Sequence, residues 1–178
     1  MSFKTLVLTS LAMTAFAANS IFCRFALGEG TMDAGTFALL RLASGAIVLG
    51  ILSGRHAFRP PVTDGGTPWA MPLMLALYAL FFSHAYVNLS TGTGALILFG
   101  AVQTTMITAG ILAGERPGVV RILGMASALM GLIYLVFPGL SAPSPLGAFL
   151  MALSGIFWGI YSLLGKKVQS PVAATAFN

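Results

Sequence analysis

Apolar and polar residues are arranged in long alternating blocks along this chain. Six apolar stretches have about 20 residues each, the length that a helix needs to cross the hydrocarbon core of a bilayer. They are residues 6–25, 34–52, 69–88, 94–113, 119–137 and 146–164. Apart from the segment 54–68, the connections are short, so consecutive helices should lie side by side and antiparallel. The pattern predicts an all-α polytopic membrane protein with about six transmembrane helices.

Composition agrees with this pattern and excludes several other classes. Of 178 residues, 57% are hydrophobic and 7% are charged, whereas roughly 25% are charged in soluble domains. An ordinary cytosolic enzyme and a disordered chain are therefore excluded, and the lipid bilayer is the expected partner. The net charge of +5 comes from basic residues scattered between apolar runs, so no nucleic-acid partner is expected. A single cysteine, Cys23, excludes an internal disulfide and a cysteine-based metal cluster.

The distribution of basic residues predicts the orientation of the chain. With a cytoplasmic N-terminus, one side of the membrane receives Lys4, Arg55, Arg59, Arg116, Arg121, Lys166 and Lys167. The opposite loops then carry Glu29 and Asp33 and neither lysine nor arginine. The positive-inside rule therefore predicts that the N-terminus is cytoplasmic. A cleavable signal ending at residues 15–17 is the alternative, and it is disfavoured because the apolar run continues to Leu27.

The chain lacks the motifs of membrane-embedded catalysis. It has no phosphate-binding loop and no H-E-x-x-H motif, and no Asp or Glu lies inside any of the six stretches. Ser83 and His84 are adjacent and point about 100° apart on a helix, too far for a nucleophile–base pair. We therefore expect no enzymatic activity, no metal site and no cofactor. A carboxylate proton relay is also missing, which leaves passive transport, exchange, or proton coupling through His84.

A few polar and amphipathic side chains lie within the predicted helices and are the candidates for substrate binding. They are Arg41, Gln103, His84, Asn19, Trp158 and Tyr161. Each also has a structural interpretation, since buried polar groups in membranes hydrogen-bond neighbouring helices. For His84 the structural interpretation, a neutral imidazole bonded to a neighbouring helix, is favoured.

Arg41 is the strongest of these candidates because it lies about 3 Å from the middle of its span at 1.5 Å per residue. Exposing it to lipid would cost at least ~2.5–3.5 kcal/mol, and the sequence offers no carboxylate at that depth. Helix carbonyls, Asn19 or Gln103 can satisfy the guanidinium structurally, as can an acid from another chain. Alternatively, its planar fork binds a carboxylate or phosphate of an anionic substrate.

The fourth stretch carries a line of small and polar residues within an arc of about 120°. These residues are Gly100, Gln103, Thr104, Gly110 and Gly114. The line is either a helix-packing seam or one wall of a substrate cavity, and packing is favoured because the apolar Ile107 interrupts it. In the sixth stretch, the spacing of Gly155 and Gly159 is a weak signal of close helix packing.

Two regions of the chain resemble each other. FAANSIFCR, residues 16–24, aligns with WGIYSLLGK, residues 158–166. Each begins with an aromatic residue, has a serine four residues later and ends with a basic residue, and AGTF at 34–37 then meets AATA at 173–176. The sixth helix becomes a second copy of the first, five helices later. An odd repeat length inverts the second copy in the membrane, as in many secondary transporters.

Three segments resemble the EamA-domain branch of the drug/metabolite transporter superfamily. They are NSIFCRFAL with TFALLRLASGAIVL, NLSTGTGALILFGAVQTTMITAGILAGERPG, and residues 158–167 with VQSPVAATAFN. The resemblance covers essentially the whole chain and includes Arg24 and Arg41 at positions that are often basic in the family. One departure is Ala101-Val102-Gln103, where many members have a proline in the fourth helix.

The resemblance implies a secondary transporter, a permease or exporter of small metabolites or drugs, in a bacterial inner membrane. Family members typically have two five-helix repeats, which implies one EamA-like repeat in residues 1–140 and an incomplete second repeat in 141–178. We therefore expect a truncated form of a longer transporter or, alternatively, a short protein that completes itself as a homodimer. The competing function is a non-transporting membrane scaffold or inactive fragment, whose polar residues only pack helices. The substrate is expected to be a small molecule, an anionic one if Arg41 binds it.

Overall fold

The computed structural model describes residues 2–28, 30, 32–54, 69–116, 118–136, 143–166, 168 and 171–178. Within these ranges the chain forms helices and no strands. The helices are α1 (Phe3–Gly28), α2 (Ala34–Ser53), α3 (Ala70–Asn88), α4 (Thr91–Leu112), α5 (Val119–Val136), α6 (Pro145–Gly165) and α7 (Pro171–Phe177). Five of them, α1 to α4 and α6, are long and apolar enough to cross a membrane. The protein is an all-α polytopic membrane protein, and a helix covers most of each of the six predicted stretches.

Local sequence chemistry explains where several helices begin. The side chain of Asp33 accepts a hydrogen bond from the backbone N–H of Thr36 at 2.9 Å and starts α2. Ser90 accepts one from the N–H of Thr93 at the start of α4. Ser144 does the same for Gly147, with a proline in the first turn of α6. These caps satisfy N–H groups that a helix leaves unpaired at its N-terminus.

Gly114 ends α4 in a left-handed conformation, with φ of +87°. The N–H of Glu115 donates to the carbonyl of Gly110, and the N–H of Gly114 donates to that of Ile111, both at 2.9 Å. This pair of bonds is the Schellman motif, which favours glycine at its left-handed position. The Gly-Glu-Arg sequence at 114–116 therefore has a structural role as a helix stop.

The core lies where α6 packs along α3 and α4, with α1 and α2 against α3. Phe82, Tyr86 and Met151 are among its fully buried side chains. The hydroxyl of Ser154 on α6 donates to the carbonyl of Tyr78 on α3 at 3.0 Å. Such an interhelical bond satisfies a polar group that has no water to bond with in the membrane interior.

The glycines of α6 provide its closest approach to α4. A Cβ on Gly155 would lie 2.6 Å from the backbone oxygen of Leu98 and from the Cβ of Ala101, and one on Gly159 would lie 2.9 Å from Thr105. The close-packing signal in α6 is confirmed.

Within the described part of the chain, the small and polar line of α4 does not form the seam with α6. Leu98, Ala101 and Thr105 lie on the opposite face of the helix from that line, at 3.6 residues per turn. No described atom would lie within 4 Å of a Cβ on Gly100, and Gln103 is exposed. The reason is that the flat surface needed for close approach is supplied by the α6 glycines, so α4 can present ordinary side chains there.

Candidate functional site

Arg41 on α2 points at one face of α3, where aromatic residues recur every four positions. Its Nη2 donates a hydrogen bond of 2.8 Å to the hydroxyl of Tyr78. Its Cζ lies 4.8 Å from the ring centroid of Phe82 and 5.2 Å from that of Tyr78, within the ~6 Å range of cation–π attraction. Arg41, Tyr78 and Phe82 are called the Arg41 cluster below.

One nitrogen of the Arg41 guanidinium has no hydrogen-bond partner in the part of the chain that the structure describes. This nitrogen, Nη1 of Arg41, is buried and donates no hydrogen bond among the described residues. The Cys23 thiol of α1 lies close enough to the guanidinium for an electrostatic interaction with it. Asn19 precedes Cys23 by one helical turn, and its amide oxygen lies 4.0 Å from the cysteine sulfur. The charge thus lies among aromatic rings, a hydroxyl and a thiol, with one strong donor left over.

Aromatic rings extend from the Arg41 cluster in both directions. Neighbouring ring centroids are 4.7 Å apart from Tyr86 to Phe82, 5.3 Å from Phe82 to Tyr78, 4.6 Å from Tyr78 to Trp158 and 5.6 Å from Trp158 to Tyr161. These five rings form the aromatic column, which runs along α3 and passes onto α6. Arg41 contacts the column near its middle.

The column ends at the C-terminal segment of the described chain. The hydroxyl of Tyr161 donates to Thr175 at 3.4 Å and accepts from the amide nitrogen of Asn178 at 3.2 Å. The ring of Phe177 packs on Trp69 with centroids 5.5 Å apart. Helix α7 is thereby held beside the beginning of α3 and the end of α6.

The structure brings together some of the residues predicted to bind substrate and separates others. Arg41 and Trp158 both contact Tyr78, Tyr161 follows Trp158 in the column, and Asn19 lies beside Cys23. His84 is exposed on the face of α3 opposite Tyr78 and Phe82, with Nδ1 2.9 Å from the carbonyl oxygen of Leu80. Gln103 lines a different cavity, between α4, α5 and α6.

Sequence reasoning missed Phe82 and Cys23 and did not place Tyr78 in the site. The available signal was the four-residue spacing of Tyr78, Phe82 and Tyr86, which puts three rings on one face of α3. When such a row of rings faces an arginine on another helix, it offers cation–π contacts. The sequence does not show that α2 packs against α3, so these contacts could not be predicted from it.

Arg24 has a structural role near the C-terminal end of α1. Its Nη1 donates to the carbonyls of Tyr86 and Val87 at 3.2 and 3.3 Å, where α3 ends. The side chain of Arg24 folds over Gly28. A Cβ at Gly28 would lie only 2.7 Å from the guanidinium carbon, so glycine provides the space that the arginine occupies. Cations at a helix C-terminus satisfy its unpaired carbonyls and favour its dipole.

Several residues on which the orientation prediction rests lie outside the part of the chain that the structure describes. These are Glu29, Arg55, Arg59 and Lys167, together with the side chain of Arg121. The proposed boundary between residues 140 and 141 lies outside it too. The predicted orientation and domain division therefore stay predictions.

Comparison with known proteins gives relatives of greater length. The chain is 51% identical over 175 residues to an "uncharacterized protein" of Pseudomonas aeruginosa, an alignment covering 98% of this chain and 60% of that protein. It is 27% identical over 179 residues to an "uncharacterized transporter" of Archaeoglobus fulgidus, covering 94% of this chain and 59% of that protein.

No protein-family profile matches the chain. No solved structure matches it. The chain thus spans about 60% of the length of these curated relatives. It is an integral membrane protein with distant similarity to a protein named as a transporter.

Proposed function

We propose that the chain forms the substrate-recognising part of a secondary transporter for small organic anions. The observation that carries the proposal is Arg41, whose guanidinium lies near the middle of a membrane-length helix. Its Nη1 is buried and has no hydrogen-bond partner among the described residues. The similarity to the transporter of Archaeoglobus fulgidus supports the general class. Membership of the EamA-domain branch, an inner-membrane location and an inverted second repeat are parts of the same proposal.

The Arg41 cluster keeps a cation in the membrane without neutralising it. A carboxylate partner would cancel the charge permanently, whereas two ring faces and one hydroxyl leave it able to attract an anion. An entering carboxylate or phosphate takes the unpaired Nη1 and competes with Tyr78 for Nη2. This gives the bidentate pairing for which arginine is suited and lysine is not.

The test is anion flux into proteoliposomes that contain the natural full-length gene product. Radiolabelled lactate, succinate and glycerol 3-phosphate serve as probes. Arg41→Lys should reduce the flux of the transported anion at least tenfold while leaving insertion intact, because the charge stays and the fork is lost. Lys4→Gln, at an exposed N-terminal position, is the control and should not change it.

The alternatives give different results in the same experiment. Wild-type flux in an Arg41→Gln variant that inserts normally would disprove substrate binding by Arg41. Failure of Arg41→Gln to accumulate in the membrane would favour the scaffold, in which Arg41 only holds α2 on α3.

Energy coupling is a separate part of the proposal. No Asp or Glu occurs inside the membrane-length helices, and His84 lies on the face of α3 away from Arg41. We therefore favour passive or exchange transport over proton coupling through His84. The pH profile of flux in His84→Gln decides: an unchanged profile removes His84 from the mechanism, and a flattened one assigns it the proton.

A further inference from the structure

A cavity of about 440 Å³ lies between the C-terminal half of α4, the beginning of α5 and the end of α6. Its walls are mainly apolar and include Met106, Ile107, Met125 and Leu163. Gln103 is the uncharged polar side chain in its lining. We call it the α4–α6 cavity; it does not include any residue of the Arg41 cluster.

Two opposite charges lie at one end of this cavity. Glu115 follows the C-terminus of α4, and Lys166 is the residue that ends α6. The carboxylate folds back along α4, because a Cβ on Gly110 would lie 3.1 Å from its Oε2. The end of α4 adds partial negative charge beside Glu115, so a cationic group is favoured here. The C-terminus of α6 carries the same partial charge beside Lys166, so an anionic group there is attracted by the ammonium of Lys166 alone.

The position of these charges matches the depth of lipid headgroups. Helix α4 has 22 residues and α6 has 21, lengths that span roughly the 30 Å of the hydrocarbon core. Residues that follow their C-termini therefore lie at the membrane–water interface, and the apolar walls lie on the hydrocarbon side. Gln103 lies nine residues before the end of α4. At 1.5 Å per residue, it is about 14 Å deeper in the membrane than the C-terminus of that helix.

We propose that the α4–α6 cavity binds one phospholipid with a primary ammonium in its headgroup, phosphatidylethanolamine. The phosphate pairs with Lys166, the ammonium donates hydrogen bonds to Glu115, and an acyl chain follows the walls formed by Met106, Met125 and Leu163. Methionine side chains adapt to a flexible chain of this kind. The site is independent of the proposed transport function.

Charge complementarity distinguishes this lipid from the other common ones. Phosphatidylglycerol carries the phosphate without a cation, so Glu115 would repel its headgroup. Phosphatidylcholine carries a cation that cannot donate a hydrogen bond to a carboxylate. The order of affinity should be phosphatidylethanolamine first, then phosphatidylcholine, then phosphatidylglycerol.

Native mass spectrometry of the detergent-purified full-length protein tests the proposal with the three lipids at equal acyl-chain composition. Phosphatidylethanolamine should be retained about tenfold better than phosphatidylglycerol. Glu115→Gln should abolish its advantage over phosphatidylcholine, and Lys166→Gln should weaken the binding of all three. Equal retention of the three lipids by the wild-type protein would overturn the proposal.

A pair of tryptophan variants tests whether the cavity itself is the site. Ile107→Trp fills the cavity and should remove the retained lipid. Leu123→Trp, at a 60% exposed position of α5 outside the lining, should not. Unchanged retention in folded Ile107→Trp would show that the lipid lies elsewhere and would overturn the proposal. If Ile107→Trp does not fold, the Glu115→Gln comparison decides.

Discussion

At the residue scale, the neutral surroundings of Arg41 are strong enough to keep it in the membrane. Inserting arginine at a helix centre costs at least ~2.5–3.5 kcal/mol. Against this, a hydrogen bond involving a charged group contributes about 1.5–3 kcal/mol, and a desolvated cation–π contact contributes about 2 kcal/mol. The hydroxyl of Tyr78 and the rings of Tyr78 and Phe82 provide both kinds of contact. The charge therefore needs no carboxylate to be stable.

Removing the Tyr78 hydroxyl should measure that support directly. Tyr78→Phe keeps the ring and deletes the acceptor of the 2.8 Å bond from Arg41. We expect a loss of about 1–3 kcal/mol of unfolding free energy, because a buried charged donor loses its partner. Thermal or denaturant unfolding in detergent gives the value. Tyr134→Phe, at an 83% exposed site, is the control, and equal effects of the two changes would contradict the argument.

Asp33 should make the stability of α2 depend on pH. Hydrogen bonds from Thr36 lower the pKa of this carboxyl below its usual value of 3.8. Because the folded pKa is the lower one, the stabilisation is fully present above pH 3.8 and is lost as the pH falls through the depressed pKa. The wild-type unfolding midpoint should therefore drop more steeply below pH 4 than that of Asp33→Asn, whose amide caps without titrating.

A second cap provides the comparison for Asp33. Ser90→Ala removes the hydroxyl that accepts from Thr93, and a hydroxyl does not titrate in this range. Its effect on the unfolding midpoint should be the same at pH 7 and below pH 4. Parallel pH curves for the wild type and Asp33→Asn would show that Asp33 is not the titrating cap.

At the element scale, the sequence predicts the helices well and their packing faces poorly. Hydrocarbon thickness and turn chemistry define where helices such as α2 and α6 begin and end. Which face packs is not encoded by polarity in a membrane, since lipid and protein interior are equally apolar. Small residues are the remaining signal. This signal is correct for Gly155 and Gly159, whereas Gly100 makes no close approach to any described residue. The Arg41 cluster was missed in part for the same reason.

The seam between α4 and α6 should be intolerant of a single methyl group. Gly155→Ala places a Cβ 2.6 Å from the backbone oxygen of Leu98, which cannot move aside as a flexible side chain can. Overpacking of this kind costs about 1–3 kcal/mol. Gly45→Ala on α2 is the matched control, because no described atom would lie within 4 Å of its Cβ. Unfolding in detergent should show a loss for the first variant and none for the second.

At the scale of the whole molecule, the two aligned sequence blocks lie in contact. Phe16 and Trp158, the first residues of the blocks, pack edge to face with ring centroids 6.1 Å apart. Helices α1 and α6, which carry the blocks, both pack against α3. Such contact is expected of equivalent helices near a pseudo-two-fold axis in the membrane plane. The inverted repeat stays a prediction, because one helix of a second copy does not define the axis.

The orientation of the whole chain is open to a direct chemical test. With a cytoplasmic N-terminus, α3 ends and α4 begins on the outer side, whereas α5 begins on the inner side. Single cysteines at the exposed positions Asn88 and Gly118 report these two sides. The native Cys23 is only 1% exposed, so the wild-type protein serves as the unlabelled blank.

A membrane-impermeant maleimide applied to intact cells should therefore label Asn88→Cys and leave Gly118→Cys unmodified. Both variants should be labelled after permeabilisation, which controls for buried thiols. The physical reason is the bias of basic residues such as Lys4, Arg116 and Lys166 toward one side, since positively charged loops stay on the cytoplasmic side during insertion. Labelling of Gly118→Cys but not Asn88→Cys in intact cells would invert the topology. It would also move Glu115, Lys166 and the α4–α6 cavity to the outer leaflet.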